Sequence, residues 1–176
     1  MLAGTQGLLD GLVHSAGIQI TAPLKVLDSH QVETLWRTNV LASLWLAKGF
    51  RQKGVNHLGG SMVFLSSTAG LVGHPALSAY SASKGAVIAL TRSLAIELAR
   101  EHIRVNCIAP GMVETEMLEE VRGIVTAENL AAIEKEHPLG FGKPTDVATA
   151  AAYLLSPAAK WITGTTLVVD GGYTAH

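Results

Sequence analysis

The sequence predicts an α/β fold in which a mostly parallel sheet of about four strands carries helices on both faces. Three observations lead there. Strand-like and helix-like segments alternate along the whole chain. Met62-Val-Phe-Leu65 is a continuous apolar run, as a strand buried on both faces requires. Val87, Leu90, Leu94 and Leu98 recur at three- and four-residue steps, the period of a helix with one face in a core.

The elements follow in order. Leu12-Val13 opens a short apolar strand that ends at Ala16-Gly17. A long helical pattern runs from about Asp28 to Lys53, with Leu35, Leu41, Leu44, Leu46 and Phe50 among its apolar positions, and Gly54 and Gly59-Gly60 end that segment. After the Met62–Leu65 strand, a second long helix covers about Ser78 to Glu101. Ile103 to Ile108 reads as a buried strand stopped by Pro110-Gly111, with the single cysteine, Cys107, as a structural thiol inside it. Helical stretches follow near Glu114–Val121 and Thr126–Glu136. A helix capped at Thr145-Asp146 stops before Pro157. Thr165 to Val169 is the last strand, closed by Asp170-Gly171-Gly172.

Composition narrows the classes. The 176 residues suit one domain, residues 1–176, and 48% hydrophobic against 15% charged residues describes a packed globular protein. A formal net charge of −1 gives no basic field for nucleic acid or an anionic membrane. One cysteine excludes an intrachain disulfide, and no apolar run reaches the ~18 residues that span a bilayer. No signal pattern opens the chain, so the expected location is cytoplasmic. His30, His57, His74, His102, His137 and His176 are scattered without metal-ligand spacing and read as surface residues.

The chemistry-bearing pattern is Tyr80-Ser-Ala-Ser-Lys84. Four residues apart on a helix, phenol and ammonium share a face. A nearby ammonium favours the phenolate, lowering its pKa from about 10 toward a range useful for proton transfer. Ser67 lies just past a strand end, where parallel sheets bind ligands. A hydroxyl there could bond a reacting oxygen, although Ser67 or its neighbour Ser66 could equally be a turn serine bonded to its own backbone.

Ser67, Tyr80 and Lys84 resemble the Ser…Tyr-x-x-x-Lys signature of the short-chain dehydrogenase/reductase family. The likeness runs from Leu9 to Tyr173. Leu12-Val-His-Ser-Ala-Gly17 resembles the Asn-Asn-Ala-Gly segment after the family's fourth strand, and Thr38-Asn39-Val40 the Asn of its catalytic tetrad. Ile103-Arg-Val-Asn-Cys-Ile-Ala-Pro-Gly111 resembles its sixth strand, and Ile162-Thr-Gly-Thr-Thr-Leu-Val-Val-Asp-Gly-Gly172 its seventh strand and terminus. The branch that looks most similar holds the 3-oxoacyl-carrier-protein reductases and sugar- or polyol-specific relatives. The resemblance implies a Rossmann-like, doubly wound sheet and an NAD(P)-dependent oxidoreductase acting on a small-molecule carbonyl/alcohol pair. It implies Tyr80 as general acid/base, Lys84 as its tuner and ribose ligand, Ser67 as substrate-orienting hydroxyl, and Asn39 as anchor of a proton relay. It assigns Ala16, Gly17, Tyr80, Lys84, Pro110, Gly111, Val113 and Thr115 to the NAD or NADP cofactor, with no metal. It also implies a homo-oligomer joined through the long helix, whose Trp36 and Trp45 read as core packing or a dimer contact.

Two departures stand out. His14-Ser15 replaces the paired asparagines; His14 could still donate to cofactor or backbone or be a structural histidine at a strand end, and it is assigned no catalytic role. The family's Thr-Gly-x-x-x-Gly-x-Gly turn, which receives the pyrophosphate at a helix N-terminus, is not found. Gly4-Thr-Gln-Gly7 and Gly140-Phe-Gly142 read as ordinary turns. The expectation is a truncated domain lacking the N-terminal half-fold, roughly 70 residues or two βα units and a remnant, with weak or no dinucleotide binding and impaired, weak or absent activity in this chain alone. The alternative is a non-catalytic, oligomerising remnant or partner of a full-length relative.

Overall fold

The computed structural model of the chain describes residues 7–175, so the Gly4–Gly7 turn lies mostly outside the described residues, and His176 wholly so. Four strands, β1 (Leu9–His14), β2 (Asn56–Leu65), β3 (Arg104–Pro110) and β4 (Thr166–Val169), form one sheet in the order β1-β2-β3-β4. All three pairings are parallel. Among the described residues β1 and β4 are therefore the edges.

Alternation along the inner strands builds two cores. On one face Met62, Phe64, Val105 and Cys107 pack with Ala47, Phe50, Val87, Ile88 and Leu98, residues of α2 (Ala42–Phe50) and α3 (Ser78–Leu98). On the other face Val63 and Ile108 meet Ala151 and Leu154 of α6 (Pro144–Leu155). Both faces of β2 and β3 are thus covered where they pair, which suits the apolar run Met62–Leu65 in β2. Cys107 is fully buried, as its strand context predicts.

The long helical pattern of residues 28–53 is broken internally. Asp28 accepts from the Gln31 backbone N–H, and the Gln31 side chain accepts from the Asp28 N–H, closing a reciprocal cap before α1 (Ser29–Leu35). A π-helical turn covers Trp36–Leu41 before α2 resumes the regular helix. Such insertions bulge the backbone and often mark functional positions. Further boundary differences are local. The first strand occupies Leu9–His14 and stops short of Ala16-Gly17. The β2 strand starts at Asn56 rather than Met62, its register against β1 shifting between Leu9 and Gly11. The last helix starts at Pro144, with the Asp146 carboxylate accepting from the Lys143 N–H, so Asp146 is the reaching side chain and Lys143 the cap position. Between β3 and α6 lie α4 (Glu116–Ile124) and α5 (Ala127–Lys135). Among the described residues no helix is long and apolar enough to cross a membrane.

Candidate active site

The carboxyl ends of β1, β2 and β3 deliver three loops to one corner of the sheet, and α3 runs past them. Helix α3 starts at Ser78, which puts Tyr80 and Lys84 in its first two turns, both buried. The Lys84 Nζ lies 5.7 Å from the centroid of the Tyr80 ring and donates to the Leu65 carbonyl at 3.0 Å. Ser66 bonds the same helix from the strand end: its hydroxyl donates to the Lys84 carbonyl at 2.8 Å. Ser67 does both things that its position allowed. Its Oγ accepts from the Ala69 N–H at 3.1 Å, capping a short helical turn, and it is a hydrogen-bond neighbour of the Tyr80 phenol.

Asn39 sits in the π-helical turn with 2% of its surface exposed. Its Oδ1 accepts from the Ile18 N–H at 2.9 Å, and its Nδ2 donates to the Ile18 carbonyl and to the Ser83 Oγ, each at 3.0 Å. Ser83 in turn donates to the Tyr80 carbonyl at 2.7 Å. Asn39 therefore ties the loop after β1 to the helix of Tyr80. Gly17 closes the ring, because a Cβ there would stand 3.1 Å from Lys84 Nζ and 3.3 Å from Asn39 Oδ1. A side chain there would have to push both groups back by a few tenths of an ångström, so glycine fits this approach best.

Burial sets the electrostatics. The Tyr80 phenol is pushed above its ordinary value by burial, opposed by hydrogen bonding from Ser67. Burial draws the Lys84 ammonium down to about 8. The expectation that Lys84 lowers the phenol's pKa is corrected here. Both groups are removed from water, and for Tyr80 that cost exceeds any help from a neighbour. His14 is held below its usual range by burial and then by the Lys84 charge. Its Nδ1 stands 2.9 Å from Ser43 Oγ, whose only proton goes to the Asn39 carbonyl at 3.1 Å. The His14 Nδ1 must then carry the proton and donate. His14 is thus a structural histidine, and it buttresses the π-helical turn.

The remaining predicted positions fall along the same edge. Ala16 and Gly17 follow β1, and Pro110 and Gly111 end β3. Val113 bridges to Gly142, and the exposed Thr115 precedes α4 while donating to the Val113 carbonyl at 3.2 Å. Sequence reasoning missed Ser83, Ser43 and His137. Ser83 shares the Tyr80 face three residues on, a spacing that could have flagged it. His137 was read as a surface residue and is instead 5% exposed, bonded to the Met112 backbone. Trp36 and Trp45 are not core residues, Trp45 being 57% exposed. No group of three or more potential metal ligands occurs among the described residues.

The parallel sheet carries the partly buried Ser67 and the buried Asn39, Tyr80 and Lys84 beyond its carboxyl end, where doubly wound α/β folds place their ligand sites. The family model described as enoyl-(acyl carrier protein) reductase matches residues 2–174. The chain is 39% identical over 167 residues to human 3-oxoacyl-[acyl-carrier-protein] reductase, covering 94% of this chain and 67% of that protein. It is 38% identical over 172 residues to a chloroplastic tropinone reductase homolog of Arabidopsis thaliana, covering 97% of this chain. The crystal structure of a gluconate 5-dehydrogenase from Burkholderia cenocepacia in complex with NADP and tartrate superposes with a TM-score of 0.90 at 31% identity, over 97% of this chain and 67% of that one. The chain belongs to the short-chain dehydrogenase/reductase family. It spans 53% of the length of the Arabidopsis relative.

Proposed function

We propose that the chain carries the proton-handling and nicotinamide side of an NAD(P)-dependent oxidoreductase that interconverts a small-molecule carbonyl and its alcohol. The observation that supports this best is the convergence of Ser67, Tyr80, Lys84 and Asn39 around one corner of the sheet. The residues present fit a nicotinamide ribose. Gly17 leaves the backbone beside Lys84 open where any side chain would intrude, and Pro110, Gly111, Val113 and Thr115 lie at the end of the adjacent strand. When bound, the cofactor supplies the hydride.

The chain's own residues divide the rest. Ser67 holds the substrate oxygen beside the Tyr80 hydroxyl. Tyr80, buried and kept protonated near neutral pH, gives its proton to that oxygen as it gains charge during reduction. Lys84 holds ribose hydroxyls and places positive charge beside the resulting phenolate, while Asn39 and Ser83 fix the helix on which both stand. No Thr-Gly-x-x-x-Gly-x-Gly occurs in the 176 residues, so we assign the pyrophosphate side no residues here and expect weak dinucleotide binding by this chain alone. Association as a homo-oligomer in the cytoplasm completes the reading. It is supported by the exposed Trp45, Trp36, Leu41 and Leu46 on the long helix.

Spectrophotometric turnover of NADH and NADPH against a panel of ketones and their alcohols tests the activity. The expected result is a rate that disappears in Tyr80→Phe. An unchanged rate in that variant would remove Tyr80 from the mechanism. Titration of cofactor fluorescence tests the binding expectation, and saturable micromolar binding would overturn it.

A further inference from the structure

We propose that His137 is a positioning residue for the loop after β3: its unprotonated Nε2 holds the Met112 backbone in place, and protonation of that nitrogen releases the loop. The proposal rests on the assignment of Gly111, Val113 and Thr115 to the nicotinamide. It adds a residue 25 positions away in sequence whose protonation state governs that loop.

The geometry fixes the tautomer. The ring Nδ1 of His137 lies 2.9 Å from the Ile133 carbonyl, which can only accept. The Met112 N–H points at Nε2 at 3.2 Å, and it can only donate. One nitrogen must therefore carry a proton and the other must not, so the ring is neutral in this arrangement. A second proton at Nε2 would set two donors against each other. The Met112 N–H would lose its partner, at a site where the ring is buried and water is a poor substitute.

Met112 is the hinge point of the loop. Its carbonyl accepts from the Gly142 N–H at 2.9 Å, and the Gly142 carbonyl accepts from the Glu114 N–H at 2.9 Å. With the Val113–Gly142 bridge these contacts strap the loop to the segment that follows His137. Gly111 fills the space between the imidazole and the end of β4. A Cβ there would lie 3.1 Å from His137 Nε2 and 2.9 Å from Asp170 Cα. The ring cannot slide away to relieve a protonated state, because it is stacked on Tyr173 with centroids 4.7 Å apart and meets Phe141 edge-on. Tyr173 also stacks on His74 at 5.8 Å, which extends the contact to the loop between Ser67 and Tyr80. His137 thus sits where the substrate-side and cofactor-side loops are joined.

The charged and titratable groups near the ring are Asp170, from the turn after β4, and Tyr173, stacked on the ring, with His74 stacked on Tyr173 in turn and Glu136 acting on Tyr173. Asp170 stays ionised below the usual carboxylate range. Burial would raise it, but hydrogen bonds from Thr174 and Gly172 and the influence of His137 outweigh that. Cofactor affinity is therefore expected to fall when Nε2 carries a proton.

The test uses the full chain in solution, with nitrogen-15 NMR of the histidine ring and backbone amides. At neutral pH the His137 ring is expected to show a protonated Nδ1 and a bare Nε2. On acidification the Met112 amide should shift with the same midpoint as the ring. His137→Gln can still offer an acceptor but cannot titrate, so it should keep the neutral-pH Met112 shift and lose the midpoint. His137→Leu should show the released shift at every pH, with nicotinamide mononucleotide binding weakened by about five- to tenfold, the size of one lost hydrogen bond. A protonated Nε2 at neutral pH, or a Met112 amide that ignores the ring, overturns the proposal. Should His137→Leu fail to fold, the wild-type titration and His137→Gln still decide it. A Met112 amide that tracks the ring while saturating nicotinamide mononucleotide leaves residues 111–115 unmoved would instead refute the cofactor assignment, and with it the functional half of this inference.

Discussion

Two neighbouring corners of the sheet are held in different ways. At the end of β1 and β2, the corner of Tyr80 and Lys84 is fastened by buried side chains bonded to one another and to backbone: Asn39 to Ile18 and Ser83, Ser66 to Lys84, His14 to Ser43. At the end of β3, the corner of Met112 is fastened mostly by main-chain bonds to Gly142 and by one imidazole. The first corner has many polar partners per residue, so losing one strands others in a dry site, which is expensive. The second depends on a few backbone contacts and a titratable ring, so it can be loosened without dismantling the core. A corner locked by buried polar bonds beside one held by a few backbone contacts is a division that, under the proposed function, holds reacting geometry and still admits and releases a large ligand.

Experiments can break that comparison, beginning with the largest effect. Tyr80→Phe keeps the ring and removes the proton, so it should cost about 10²–10⁴-fold in turnover while leaving the melting temperature near wild type. A comparable activity in the variant would dissolve the rigid corner's chemical role. Asn39→Leu removes three buried hydrogen bonds and leaves both Ile18 groups and Ser83 without them. It should destabilise the fold by about 2–4 kcal/mol in urea unfolding, whereas Thr115→Ala at the second corner should change stability by less than about 0.5 kcal/mol. Equal losses would show that the corners are not distinct.

Lys84 offers a pH test. Its folded-state value of about 8 lies below the 10.5 of the exposed group. The unfolded chain therefore binds this proton more tightly, and the group opposes folding at pH values below about 8. Its penalty is relieved as pH rises from about 8 toward 10.5, where both states become neutral. The stability difference between wild type and Lys84→Met should consequently move in favour of wild type by about 2 kcal/mol between pH 8 and 10. A flat difference would mean that the ammonium is solvated in the folded chain. The smallest effect is expected at Gly17→Ala. The methyl must displace the mobile end of Lys84, so stability should fall by about 1 kcal/mol or less, while nicotinamide affinity falls about tenfold by calorimetry. An unaffected affinity would place the ribose elsewhere.

Much of this was legible in the residues. The apolar run Met62–Leu65 placed a central strand, and Tyr80 and Lys84 had to share a face once their segment was helical. The order of motifs along the chain placed Ser67, Asn39 and Gly111 at one end of the sheet. What failed to show was of another kind. The π-helical turn at Trp36–Leu41 has no signature in a pattern that remains amphipathic across it. His137 looked like a surface histidine because nothing in its neighbourhood announces burial. For Tyr80, spacing reports a neighbouring charge and says nothing of burial, which pushes the phenol up.

By itself the sequence determined periodicities, and through them the α/β layering, the parallel sheet and the shared helix face of Tyr80 and Lys84, because these depend on side chains a few residues apart. Tertiary structure alone decided which distant backbone groups meet, which histidine carries its proton on which nitrogen, and whether burial or a neighbouring charge governs the phenol. The reason is physical. Hydrogen-bond direction and desolvation are set by everything that surrounds an atom, and for Asn39, Lys84 and His137 those surroundings come from segments 21, 19 and 25 residues away.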